Sequence, residues 1–433
     1  MHLSGIQFIF LWGLLSGHLE LSDEWPDWRG PNRDGTWEET GIVTEFNGDQ
    51  IKIKWSVPVS PGYSGPTVSD QRVYLTDRLA YPENKEQVLC FNALNGKKIW
   101  SFSYDCDYVG IGYPAGPRAS VIIDGDRAYS LGTMGHLFCF EKATGKVIWS
   151  KDLNTEYQIR MPTWGISAAP LILEEKIILN IGGSGEACMV ALNKLTGKEL
   201  WRSLKDDASY SAPILIEQAG KPVIVVWTAQ RVVGLDPETG SIYWEEEFRQ
   251  EQMTINIASP VYYNGYIFVS NFFDGSLLLK LDEDHLTAQK VWQRAGKDER
   301  HTDALHCCIS TPLLKGDYIY GVDSYGELRC LDLKTGDRIW EDLTAVKQAR
   351  WANIHLIQNG VLTYMFNENG ELIIARLTEK GFEELSRARL IEPTKEQLNR
   401  GGEGVTWALP AFAYKHVFVR SDKELVCADL SAD

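Results

Sequence analysis

CFNALNGKKIW, residues 90–100, returns along the chain as CFEKATGKVIW (139–149), ALNKLTGKELW (191–201), GLDPETGSIYW (234–244) and CLDLKTGDRIW (330–340). A stretched copy, KLDEDHLTAQKVW, occupies 280–292. Repetition at a fixed spacing means that one structural unit is stacked many times, so the unit decides the fold. Most copies place a small residue first, Asn, Asp or Glu third, Gly seventh and Trp eleventh. The third residue can hydrogen-bond the backbone of a tight turn, and Gly supplies the positive φ that the turn requires. The motif therefore reads as strand, turn, strand, with Trp on the departing strand.

Trp55, Trp100, Trp149, Trp201, Trp244, Trp292 and Trp340 follow one another at intervals of 45, 49, 52, 43, 48 and 48 residues, and Leu385 stands 45 further on. One four-stranded propeller blade takes about that length. Upstream of each motif lie a Pro-containing run such as SGPTV, SAAPLI, YSAPIL or STPLL and an aromatic and β-branched run such as RVYLT or YIFVS. Both are strand signals. Counting the second run gives eight blades, the last of which ends at CADLSAD without an outermost strand. The orphan Trp55 in IKIKWSVPV (51–59) supplies one. The expected fold is an all-β, eight-bladed propeller of antiparallel blades, closed by its N-terminal strand so that no sheet edge is left free. Helical periodicity is confined to 394–400, enough for a turn or two.

The Trp motif resembles the docking motif of the pyrroloquinoline-quinone-like (PQQ-like) repeat, shared by quinoprotein alcohol dehydrogenases and the outer-membrane assembly lipoprotein BamB. The opening WPDWRGPNRDG, with GYSGP, GPRAS, DALH, SYGELRCLD and IIARLT, is similar to the secreted PQQ-like propeller proteins of planctomycetes. The resemblance runs from about Trp25 to the C-terminus. It implies the fold strongly and the function weakly, since sites are grafted onto such scaffolds independently.

Residues 1–22 read as an apolar leader: IQFIFLWGLL is long enough for a signal-peptide core and too short to span a bilayer. A buried N-terminal strand is the alternative. No Cys lies near it, so the lipid attachment implied by a BamB resemblance has no counterpart there. Residues 23–50 form a segment packed on the ring, its Trp25 and Trp28 plugging aromatic gaps and Arg29, Arg33 and Asp34 tying it down; 51–433 form the propeller. An exported, periplasmic or secreted, monomeric protein without a transmembrane span is expected. The net charge of −16 sets phosphate backbones and anionic lipid surfaces aside as partners.

Four of the eight Cys, Cys90, Cys139, Cys330 and Cys427, fill the first motif position, where other copies have Ala191, Gly234 and Ala375, so they read as packing residues. No haem-attachment or paired CxxC pattern occurs. HTDALHCC (301–308) offers nitrogen, oxygen and sulfur donors within eight residues, but period-two geometry sends Cys307 and Cys308 to opposite sides.

Turns within blades are minimal, whereas the links between blades are long, and loops on a rigid scaffold are where binding groups gather. Arg118, Trp164, Asp303, His306, Arg350, Trp351 and Trp407 come from five of these links and are the candidate ligand-binding residues of one channel mouth; the alternative is that they merely close the channel. No catalytic constellation and no metal site is assigned, and no cofactor is expected. The reading is a non-catalytic scaffold that binds a protein or polysaccharide envelope component. The resemblance implies a second possibility, a quinoprotein dehydrogenase with Ca²⁺-held PQQ, an Asp base and a Trp platform, in which Cys307 and Cys308 would resemble a vicinal disulfide. A hydrolase with a metal bound by 301–308 is a third.

Overall fold

The computed structural model describes residues 23–398 and 401–432; the leader expected at 1–22 lies outside them. Eight separate four-stranded antiparallel sheets stand in sequence around a ring. Blade one comprises Thr67–Ser69, Arg72–Leu79, Lys85–Asn92 and Lys98–Asp105. Blades two to seven follow at 122–152, 171–203, 214–247, 261–294, 313–342 and 354–389. Blade eight takes Ala411–Ala413, His416–Arg420 and Glu424–Asp429 from the C-terminal end and Ile53–Pro58 from the N-terminal end, with Trp55 opposite Cys427. The ring is thus closed by the strand that the orphan Trp55 marks.

The repeat motif works in two directions at once. Within a blade, Trp stands directly across the ladder from the small first residue: Cys90 faces Trp100, Cys139 faces Trp149, Ala191 faces Trp201 and Gly234 faces Trp244. A bulge follows each pair and pushes the tenth residue outward, which is why Ile99, Ile148, Leu200 and Ile339 are exposed aliphatics on an otherwise polar rim. Between blades, each indole N–H donates to the fourth-position carbonyl of the next blade's turn: Trp55 to Ala93, Trp100 to Lys142, Trp149 to Lys194, Trp201 to Pro237 and Trp292 to Leu333, all at 2.8–3.1 Å. The turn Gly lies flat beneath that indole. A Cβ on Gly96 or Gly240 would stand 2.8 or 2.6 Å from the ring of Trp55 or Trp201, and φ near +70° excludes it a second time.

Blade five lacks the Gly, and its stretched turn is docked differently. Gln218 accepts the Trp244 N–H at 2.8 Å while its amide donates to Thr287 and His285 carbonyls at 2.8 and 3.1 Å, so one side chain replaces the missing backbone fit. In blade seven the bulge falls one residue later on the departing strand: Leu385, expected at the eighth Trp position, is the bulge residue, and Ser386 faces Ile374 and accepts the Phe46 N–H. Of the span 394–400, where the sequence predicts a helical turn, residues 396–398 form a turn and 399–400 lie outside the described residues. Thr394 pairs with Val405, and Gln397 is drawn into hydrogen bonds with Asp422 and Trp407. The helix of the described residues is Leu153–Tyr157, capped by Asp152 on Thr155 N–H and anchored by buried Leu153 and Tyr157.

Two outcomes follow for stability. Trp55→Ala removes a buried aromatic and its inter-blade hydrogen bond at the closure, and should cost about 3–5 kcal/mol with a broadened urea transition. Gln218→Ala strands the Trp244 N–H and two turn carbonyls and should cost about 1–3 kcal/mol; a melt equal to that of the unaltered protein would show that the stretched turn docks without it.

Candidate functional site

Segment 25–37 crosses one end of the channel. Trp25 exchanges backbone hydrogen bonds with Val68 of blade one, and the Pro26 carbonyl accepts Ile123 N–H of blade two. Arg33, paired with Asp27 at 2.6 Å, donates to Ala169 and Pro170 carbonyls of blade three. Trp28 donates to Ser259 at blade five, and Gly35 and Trp37 bond Gln358 of blade seven. Trp37 then packs between Tyr364 and Phe412, with ring centroids about 5 Å from each. The channel is closed at this end, with Trp28 as its floor.

Above Trp28 lies a cavity of about 140 Å³. Its wall is a repeat position: the residue three before the inner-strand Pro, or before the residue that replaces that Pro. Tyr63, Ser167 and Tyr210 precede Pro66, Pro170 and Pro213; Ile257, Ile309 and Trp407 precede Pro260, Pro312 and Pro410; Arg118 precedes Val121, and Trp351 precedes Ile354. Every blade contributes one such residue. The long links add Tyr113 and Trp164 over the top, Tyr113 lying 6.2, 5.8 and 6.1 Å from Trp164, Trp351 and Trp407. Tyr113 and Trp351 sit in the left-handed region at φ 54° and 71°, a conformation that costs a bulky residue about 1–3 kcal/mol and that collects at functional sites.

The wall is largely apolar, and several of its polar atoms are engaged. Tyr63 donates to the Gln397 carbonyl at 2.9 Å, Trp407 donates to Glu368 at 2.8 Å, and Tyr210 accepts Trp164 N–H at 3.3 Å. Burial pushes the phenols of Tyr63 and Tyr210 up, so both stay protonated. Arg118 is the charged residue of the wall; its guanidinium donates to the Gly116, Gly112 and Tyr113 carbonyls at 2.6–2.9 Å and lies 4.9 Å from the Tyr63 ring. No carboxylate lines the cavity among the described residues.

Of the seven candidates, Arg118, Trp164, Trp351 and Trp407 line this cavity, and Asp303, His306 and Arg350 do not. Asp303 faces outward in a two-pronged pair with Arg294 at 2.8–2.9 Å. His306 is fully buried and bridges two backbones, its Nε2 accepting Gly296 N–H at 3.0 Å and its Nδ1–H donating to the Phe272 carbonyl at 3.1 Å. Burial lowers its pKa, in keeping with a neutral ring. Arg350 lies at the rim, paired with Glu299 at 2.8 Å and stacked 4.8 Å from Trp351. Cys307 and Cys308 do part as the alternation requires, Cys307 into the core between blades and Cys308 into the cavity. Among the described residues, no three His, Cys, Asp or Glu side chains are grouped to hold a metal ion. Tyr63 and Tyr210 escape the sequence reading, although their shared offset from the inner-strand Pro would have found them, and Trp28 reads there as an aromatic plug of the N-terminal segment without being assigned to the site.

His355, under the wall, donates Nε2–H to the Trp407 carbonyl at 2.9 Å. Burial, with the nearby Arg29 cation adding to it, holds its pKa down at about 4. Between pH 6.5 and 4 the unfolded chain therefore takes a proton that the folded chain refuses. Stability is full above about pH 6.5 and falls by up to about 3 kcal/mol towards pH 4. In urea melts across that window His355→Gln should flatten the fall; an unchanged slope would assign the loss to other groups.

A family model described as outer membrane protein assembly factor BamB matches residues 84–342. Outer membrane protein assembly factor BamB of Shewanella oneidensis is 25% identical over 207 residues, 46% of this chain and 50% of that protein. Quinoprotein ethanol dehydrogenase of Pseudomonas putida is 27% identical over 168 residues, 36% of this chain and 26% of that protein. The chain thus spans half or less of these two relatives. In fold it is similar to quinohemoprotein alcohol dehydrogenase of Comamonas testosteroni, with a TM-score of 0.63 at 13% identity over 95% of this chain and 81% of that one.

Proposed function

The chain belongs to the family of outer membrane protein assembly factor BamB, and from that premise we propose that it is an exported, non-catalytic scaffold that holds a protein or polysaccharide component of the envelope on its long-link face. The observation that carries this reading is the aromatic cavity to which every blade contributes a residue and which Tyr113 and Trp164 of the long links help to line. Rigid aromatic anchors around a small pocket are what an interface hot spot uses. The BamB relatives favour a protein partner, since their name assigns them to assembly of outer membrane proteins.

A quinoprotein dehydrogenase is the second reading, favoured by the other group of relatives. The residues do not fit that cofactor. Ca²⁺ takes six to eight oxygen ligands, carboxylates foremost, and the lining supplies no carboxylate among the described residues. A volume of about 140 Å³ also falls below the 300–1,000 Å³ usual for sites of drug-sized ligands and cofactors.

Trp164→Ala should leave the melting temperature within a few degrees while weakening capture of a partner from envelope extract by about tenfold or more, because Trp164 is a half-buried rim residue. Titration with PQQ and Ca²⁺ should give no saturable absorbance change at micromolar concentration. Unchanged capture, or saturable quinone binding, would overturn the scaffold reading.

A further inference from the structure

The Arg118 guanidinium forms no ion pair among the described residues, although it stands in an aromatic cavity. Three loop carbonyls occupy three of its N–H donors, which leaves two of the five uncommitted. Carbonyl dipoles compensate a cation only in part, and a partly buried cation without a counter-ion favours an incoming anion. The buried carboxylate of Glu86 is taken elsewhere, by the Tyr104 and Tyr108 hydroxyls and Thr133 N–H.

The remaining features select what carries that anion. Flat apolar surfaces from Tyr63, Tyr113, Trp351 and Trp407 suit a planar ring, and about 140 Å³ is comparable to a cavity that admits a single benzene ring. A sugar ring of the same size would bring several hydroxyls against a largely apolar wall in which the Tyr63 and Trp407 donors and the Tyr210 hydroxyl are already bonded, and each buried hydroxyl left unpaired is unfavourable. A free cation is excluded by Arg118 itself. Resting on the reading of this face as a binding face, we propose that the cavity takes one aromatic ring bearing one carboxylate, with the ring on the Trp28 floor and the carboxylate on Arg118. Such a group is found in a free aromatic acid or at the carboxyl terminus of a polypeptide ending in an aromatic residue.

The test is calorimetric titration of the full chain with 3-phenylpropionate, 3-phenylpropionamide, glucuronate and a short peptide ending in Phe, free or amidated. Saturable phenylpropionate binding, at least tenfold weaker for the amide and undetectable for glucuronate, is expected. Arg118→Gln should lose the tenfold preference for the acid while retaining weak binding of the ring. Ser167→Trp, which fills the cavity while leaving the residues of the Arg118 loop unaltered, should abolish both, and it keeps the test decisive if Arg118→Gln fails to fold. Tight binding of the free peptide but not of its amide would assign the ligand to a protein terminus, and binding of phenylpropionate alone would assign it to a small acid; both support the proposal. Equal affinity for acid and amide, tighter binding of glucuronate, or no binding by any probe would overturn it. Partner capture lost in Trp164→Ala would in that case still stand, so the two readings fail separately.

Discussion

One contact repeated around the ring holds the molecule together: an indole N–H of one blade donating to a turn carbonyl of the next, with the turn Gly lying against the indole face. It joins a directional bond to a large apolar contact at a seam that is otherwise only side-chain packing between sheets. It also fixes the angle of each blade to its neighbour, because the indole can satisfy both partners in one orientation. Where the Gly is missing, Gln218 restores the bond with a side chain long enough to span the wider turn. Where the Trp is missing, in blade seven, the N-terminal segment itself reaches Ser386 through Phe46.

Closure makes the N-terminal region structural twice over. Ile53–Pro58 completes the last blade, and the preceding residues cross the channel and seal one end. A ring of eight blades leaves an axial opening that would otherwise admit water along its length. Trp28 crosses it and lines the cavity, and the Arg29 cation adds to the effect of burial that keeps His355 neutral. The same crossing therefore shapes the cavity and sets a pH dependence into its wall.

The chemistry of the cavity is aromatic and singly cationic, with no carboxylate in its lining among the described residues. Asp303 and His306, which look like chemistry in the sequence, are absorbed by Arg294 and by two backbone groups, so the richest short motif of the chain serves the fold.

The repeat period, the Trp and Gly roles, the eight blades and the closing strand were legible in the sequence because each rests on local geometry: a turn needs its Asn or Asp and its Gly, and a strand alternates with period two. Four of the fifteen residues that line the cavity, Arg118, Trp164, Trp351 and Trp407, were legible too, as aromatic and Arg residues on long links. The rest was decided by the tertiary structure. Its wall repeats in position but not in chemistry, passing from Tyr63 to Arg118, Ser167, Tyr210 and Ile257, so no recurring residue marks it. Successive members of that wall stand 42 to 56 residues apart and meet only when the ring closes. The direction of a side chain in an irregular link, which sends Cys308 inward and Asp303 outward, follows from the partners that the fold brings to it, and the sequence order of neighbours does not contain them.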